Sequence, residues 1–126
     1  MVIIDLDGFK QLNDTHGHQA GDRALKEVAA ALRRRLRDSD ATARIGGDEF
    51  AILLPYADAT QAAAIVNDLR RVIRESDLDL GDGTVLSLSA SLGVGLINEG
   101  TASEESVFAV ADHAMYEDKA RHRSAS

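Results

Sequence analysis

Ala41-Thr-Ala-Arg-Ile-Gly-Gly-Asp-Glu-Phe-Ala-Ile-Leu-Leu54 decides how this chain folds. Ala41–Ile45 and Phe50–Leu54 are short strand-forming runs, and Gly46-Gly47-Asp48-Glu49 between them leaves room only for a tight connection. The stretch predicts a β-hairpin whose glycines supply the positive φ of the turn. Pro55 closes it, because proline cannot donate to a continuing ladder.

Upstream, the apolar β-branched run Val2–Ile4 stops at Asp5-Leu6-Asp7-Gly8. This reads as a buried strand that delivers acidic side chains at its C-terminal end, the edge where ligands of α/β sheets gather. A short amphipathic stretch at Phe9–Leu12 and a polar loop, Asn13-Asp-Thr-His-Gly-His18, precede a helix predicted from about Asp22 to Leu36. Its apolar stripe is Ala24, Leu25, Val28, Ala29, Leu32 and Leu36. Downstream of the hairpin, Asp58-Ala-Thr-Gln61 has capping-box spacing before a helix carrying Ile65, Leu69, Val72 and Ile73 on one side. A Gly81-Asp82-Gly83 turn leads into Val85–Leu96, whose Ser/Leu alternation predicts one strand with a solvated face. Thr101-Ala-Ser-Glu104 is a second capping box, opening a helix from about Ser103 to Arg121 with Val107, Val110, Ala111, Ala114 and Met115 inward. The order predicts an α+β sandwich: a mostly antiparallel sheet with helices packed chiefly on one face. Without repeats or linkers, residues 1–126 read as a single domain with Ser124–Ser126 as a frayed tail.

With 126 residues the chain is long enough for one core but not comfortably for two. Its net charge of −7 argues against nucleic acid as a partner, since an acidic surface repels a phosphate backbone. The absence of cysteine removes thiolate chemistry and leaves oxygen or imidazole to hold any metal. Neither a signal peptide nor a membrane span is read from this segment, so the expected compartment is the cytoplasm, with anchoring of a parent protein through another segment as the alternative.

Three carboxylates stand at turns beside strands: Asp5, Asp7 and Asp48. Should the hairpin pair with the first strand, they converge, and a divalent cation relieves their repulsion. Mg²⁺ suits such a site, because it accepts one or two carboxylates and completes its shell with substrate phosphates. By spacing alone, capping of turns is an equally good account of the three acids. An EF-hand reading fails, since Phe9 takes a ligand position and Gly8 is misplaced. His16 and His18 lack a further nearby ligand and stay outside the metal site.

Arg44-Ile-Gly-Gly-Asp-Glu-Phe50 resembles the signature of the GGDEF-domain diguanylate cyclases. Asp5-Leu-Asp-Gly-Phe-Lys10, Asn13-Asp-Thr-His-Gly-His18, Gly21-Asp22, Ser89-Ala-Ser-Leu-Gly93 and Ala111-Asp-His-Ala-Met-Tyr-Glu-Asp-Lys119 follow the same family in order. The resemblance implies a nucleotidyl-cyclase or polymerase-palm fold of ferredoxin-like topology. It also implies condensation of two GTP to cyclic di-GMP and two pyrophosphates by a Mg²⁺-dependent homodimer, with Mn²⁺ as a substitute ion.

Residue by residue, the resemblance assigns Asp5, Asp48 and the Leu6 carbonyl to the metal, and Asp48 with Glu49 to catalysis. Asn13 and Asp22 match the guanine-reading pair, an amide and a carboxylate that complement the base's carbonyl and N–H groups. Gly8, Phe9, Lys10, Gly46, Gly47, Lys119 and Arg123 match or adjoin the remaining substrate contacts. Gly46 and Gly47 would let backbone approach the α-phosphate. Arg37-Asp-Ser-Asp40 resembles the family's inhibitory product site, in which Arg37 and Asp40 grip cyclic di-GMP. The family carries a further helix and a D-x-L-T-G-L-x-N-R stretch before the first strand, whereas this sequence starts at that strand. Lower stability and weaker activity are therefore expected of this segment. The alternative function is a GTP- or cyclic di-GMP-binding regulatory module with weak or no turnover. A dimerising structural domain is the third reading.

Overall fold

The computed structural model describes residues 1–55, 57–97 and 103–125, with side chains described through His122. Four strands form the main sheet: β1 (Val2–Leu6), β2 (Ala41–Arg44), β3 (Glu49–Leu53) and β6 (Ala90–Val94), in the order β2-β3-β1-β6. Every neighbouring pair is antiparallel. Two interleaved strand–helix–strand crossovers produce this order. β1 returns to β2 through α1 (Phe9–His16) and α2 (His18–Arg35), and β3 returns to β6 through α3 (Ala59–Arg74). The architecture is the α+β sandwich that the sequence predicts.

Strand alternation divides β1 between two cores. Val2, Ile4 and Leu6 pack with Leu25, Val28 and Leu32 of α2 and with Leu69 and Ile73 of α3. Ile3 turns to the opposite face, where Ala111 and Met115 of α4 (Glu104–Ala125) cover it. The helices thus pack around the sheet, with the second face occupied by α4. Gly93 is what lets it settle there: a Cβ at that position would lie 2.2 Å from both the Ala111 carbonyl oxygen and the Met115 amide nitrogen.

Asp118 fixes α4 at the edge of the sheet. Its carboxylate accepts the outward N–H of Leu92 at 2.9 Å and pairs with Arg70 of α3 at 2.5 Å and Arg121 at 3.1 Å. An unpaired ladder donor on edge strand β6 is thereby satisfied, and helices on opposite faces are tied around that edge. Burial pushes the Asp118 carboxyl up, yet the Arg70 guanidinium, the Leu92 amide and Arg121 together hold it below the usual carboxylate value.

Several local readings change. The predicted polar loop is mostly helix: α1 runs to His16, and Gly17, at φ 89°, breaks it from α2, which starts at His18 and not near Asp22. The single strand predicted over 85–96 divides in two. β5 (Val85–Ser87) pairs with β4 (Asp77–Asp79) in a separate small sheet, while β6 joins the main one. Leu78, the only apolar residue of β4, gives too short a pattern to read as a strand. Among the described residues the positive-φ glycines are Gly8, Gly17, Gly81 and Gly83, so the hairpin turn does not need that conformation at Gly46 or Gly47. Asp58 forms the capping box in full, its side chain accepting from Gln61 N–H while Gln61 accepts from Asp58 N–H. The Thr101 end of the second box lies outside the described residues. α4 continues through Ala125, past the start of the predicted tail, and Ser126 lies outside the described residues.

Asp118→Asn should destabilise the protein by about 2 kcal/mol, the scale for weakening buried charge-assisted hydrogen bonds. Because the folded pKa is depressed, this stabilisation is complete above the ordinary value of 3.8 and is lost as pH falls through the lower folded value. Urea unfolding of both proteins between pH 7 and pH 3 should show the difference shrinking at the acid end.

Candidate active site

Three segments meet at the C-terminal end of β1. The β1–α1 turn is held in place by Asp7 N–H donating to the Ser89 carbonyl at 2.9 Å. The β2–β3 turn is joined to β1 by Leu6 N–H donating to the Asp48 carbonyl at 3.1 Å. Gly8, at φ 69°, turns the chain sharply from strand into α1. The last turns of α4 supply the third side. Between them lies an open cavity of about 480 Å³, bordered by Leu6, Gly8, Phe9, Lys10, Asp48 and Lys119.

The hairpin does bring Asp5 and Asp48 together, as the sequence predicts. Asp5 also pairs directly with Glu49 in the ladder, so their side chains share the face covered by α4. Burial raises the Asp5 carboxyl to about 6, with Lys119 opposing the rise and Asp48 reinforcing it. The Glu49 carboxyl is also raised, by burial first and then by Asp112 and Asp48. Against this acidity stands Lys119, whose ammonium is 3.3 Å from Asp5 Oδ1, 3.4 Å from Asp7 Oδ1 and 3.4 Å from the Leu6 carbonyl oxygen.

Asp7 does not join the other two acids. Its carboxylate accepts from Ser91 Oγ at 2.6 Å and Ser89 Oγ at 2.8 Å, and meets His122 Nδ1 at 2.7 Å. Burial pushes the Asp7 carboxyl up, but the two hydroxyls and the imidazole outweigh it and hold the group below its ordinary value. The expected three-carboxylate centre is therefore a pair, and among the described residues no cluster of three acidic or histidine side chains is placed to hold a metal. The pair still suits a divalent cation. Asp5 Oδ1 is buried without a well-formed hydrogen bond, its ion pair to Lys119 stretched to 3.3 Å, beside a second carboxylate and near the Leu6 carbonyl. Oxygen donors of this kind match Mg²⁺ or Mn²⁺, with most of the shell left to other ligands.

The remaining candidates lie outside the lining of this cavity. Asn13 is turned against Gly21: a Cβ on Gly21 would lie 1.9 Å from Asn13 Oδ1, which is itself buried without a partner. Exposed Asp22 borders a different groove, of about 430 Å³, with Arg44 and Phe50. Gly46 and Gly47 stand in the hairpin turn, their carbonyls accepting from the Arg44 guanidinium at 3.1 and 3.0 Å. Arg37 and Asp40 lie at the opposite end of β2 and pair with each other at 2.8 Å, while Arg37 also donates to the Pro55 carbonyl at 3.0 Å. The Arg123 side chain lies outside the described residues. Composition and hairpin reading do not find Ser89, Ser91 and His122 as partners of Asp7. The signal for His122 is its helical spacing from Met115 and Lys119, which sets all three on the stripe of α4 facing the sheet.

The family model for the diguanylate cyclase GGDEF domain matches residues 1–125. Diguanylate cyclase A of Treponema denticola is 37% identical over 124 residues, covering 98% of this chain and 33% of the relative. The chain thus spans about a third of that relative's length. Among solved structures, diguanylate cyclase SiaD of Pseudomonas aeruginosa, crystallised with its activator SiaC, superposes with a TM-score of 0.89 at 36% identity, over 95% of this chain and 45% of that one. The GGDEF domain of DgcB from Caulobacter crescentus, in complex with c-di-GMP, gives 0.87 at 32% identity, over 94% and 70%. Among the described residues no helix is long and apolar enough to cross a membrane.

Without metal, an ionised Asp5 works against folding. Its folded pKa is raised, so its contribution is most favourable below 3.8 and is lost as pH rises through about 6. Asp5→Asn should therefore raise metal-free stability at pH 7.5 by about 1–2 kcal/mol, while removing the stabilisation that Mn²⁺ gives the parent. Thermal melts with and without Mn²⁺ measure both effects.

Proposed function

The chain belongs to the GGDEF diguanylate cyclase family, and from that premise we propose that it condenses two GTP molecules to cyclic di-GMP, releasing two pyrophosphates, as a Mg²⁺-dependent homodimer. One observation carries the reading: a buried carboxylate oxygen on Asp5 that meets the Lys119 ammonium only as a loose ion pair at 3.3 Å, next to Asp48 and beside a cavity bordered by Leu6, Asp48 and two lysines. Purely structural acids at turns are normally satisfied by well-formed hydrogen bonds from nearby N–H groups, whereas this oxygen has a loose ion pair in their place.

In this reading Asp5, Asp48 and the Leu6 carbonyl hold the divalent ion. When bound, the ion offsets triphosphate charge and lowers the pKa of the ribose 3′-hydroxyl. Lys10 and Lys119 orient the phosphates as point charges within the cavity. Asn13 and Asp22 read the guanine edge, the carboxylate selecting against adenine by accepting from the base N–H groups. Phe9 and Gly8 border the triphosphate, and Gly46 and Gly47 let the hairpin backbone approach it. Glu49, its carboxyl raised towards neutrality by burial and its acidic neighbours, is suited to receive a proton as the 3′-oxygen attacks. Each attack forms one O–P bond at the α-phosphorus and breaks the bond to pyrophosphate. Two such steps close the ring.

Each chain carries one such site, so two must face one another, and orientation of the paired nucleotides supplies much of the acceleration. Arg37 and Asp40 are proposed as the inhibitory product site. The Arg37–Asp40 pair already places a planar guanidinium fork at the surface, where phosphate or guanine can take over its donors.

Incubation with GTP and Mg²⁺, followed by chromatography, should yield cyclic di-GMP at a rate rising more steeply than protein concentration. Intact GTP from a confirmed dimer would reject the cyclase and favour the binding module. Asp48→Ala should lose turnover by at least ~100-fold while melting within a few degrees of the parent, since its side chain lies outside the core. In calorimetry, Arg37→Ala should weaken cyclic di-GMP binding at least ~10-fold and leave GTP binding unchanged.

A further inference from the structure

The structure assigns His122 as a positioning residue: by holding the Asp7 carboxylate, it keeps the Lys119 ammonium available to phosphate in the cavity at the end of β1. Lys119 is the cation closest to Asp5 and Asp7, and its distances to both, 3.3 and 3.4 Å, are longer than a close charge-assisted bond. Asp5 and Asp7 are the two acids within reach of it, and of these Asp7 is already engaged by other donors. His122 Nδ1 and Ser89 Oγ lie 2.7 and 2.8 Å from Oδ2, and Ser91 Oγ is 2.6 Å from Oδ1. A carboxylate in this state cannot donate, so the imidazole donates through Nδ1–H.

These donors do two things. They fill the acceptor sites through which Asp7 would draw the ammonium into a tight pair, and they anchor the carboxylate to β6 and α4 so that it cannot swing towards Lys119. Lys119 and His122 both border the cavity and sit on neighbouring turns of α4, so the helix that brings the cation also brings the group that restrains its competitor. Ser91 is fully buried, which makes the anchor rigid.

The phosphate part of this inference rests on the proposed GTP site, whereas the freedom of Lys119 is measurable without it. Acetylation of the Lys119 amine in the full chain, free of nucleotide and metal, is read by peptide mass spectrometry. His122→Ala should slow labelling about threefold, as Asp7 closes on the ammonium. Ser89→Ala, a change at an exposed hydroxyl that does not threaten folding, should slow it in the same direction. In the Asp7→Asn background, adding His122→Ala should leave the rate at or above that of the parent, because Asn cannot capture the cation. A merely structural histidine would not show this rescue.

Unchanged or faster labelling in both His122→Ala and Ser89→Ala overturns the assignment, as does a double variant as slow as His122→Ala alone. Calorimetry with GTP in EDTA forms the second arm, where His122→Ala should weaken binding by a similar factor and Asp7→Asn should restore it. A parent that binds no GTP, with labelling that follows the expected pattern, rejects the nucleotide reading and leaves the restraint on Lys119 established.

Discussion

Burial and the neighbouring Asp48 both work against an ionised Asp5 in one half-buried corner, and a cation close by relieves them. That requirement organises the end of the sheet. Lys119 meets it within the chain, but at distances above 3 Å to a carboxylate it shares with the Leu6 carbonyl and Asp7. The raised Asp5 pKa measures what the lysine leaves uncompensated. An acid held near 6 in the resting fold is a standing cost, and it is relieved by binding a stronger cation. Stability and ligand affinity therefore pull against each other at the same residue, as expected where a site is preorganised for charge that arrives from outside.

The ammonium reaches this corner only because α4 lies flat on β1 and β6. Gly93 permits backbone contact, and Asp118 fastens the helix at the sheet edge through Leu92 and Arg70. Lys119 follows Asp118 in sequence, so the structural anchor and the cation proposed to meet phosphate share one turn of helix. A small rotation of α4 would move both, which explains why the acid that caps the sheet edge is buried and paired on several sides. The precision of the site is thus inherited from helix packing and does not depend on its loops.

Much of this was legible in the sequence, for reasons that differ residue by residue. The hairpin and the acidic end of β1 are local patterns, so their pairing brought Asp5 beside Asp48 as expected. The resemblance to the GGDEF family pointed to Lys119, which spacing alone reads as an ordinary helix C-terminal cation. Asp7 was misplaced because its partners lie more than 80 residues away on β6 and α4, and they compete for it only once those elements dock. The α1–α2 break was hidden because Gly17 and its polar neighbours have the composition of a loop, while β4 offers a single apolar side chain. The divided strand is the same kind of failure, since alternation continues through Leu88 and Ser89 although the chain changes partners there.

Charge sets the last constraint on function. A chain of net charge −7 repels a nucleotide triphosphate and repels its own copy, and the proposed reaction needs both brought together. Lys10 and Lys119 offset this only locally, on one side of one cavity. The remaining compensation has to travel with the substrate as its divalent ion, so nucleotide and metal are expected to enter together and not in sequence. A triphosphate that carries one divalent ion is still net negative, so loading does not by itself remove the repulsion between two acidic domains, and the local cations at the cavity have to do so.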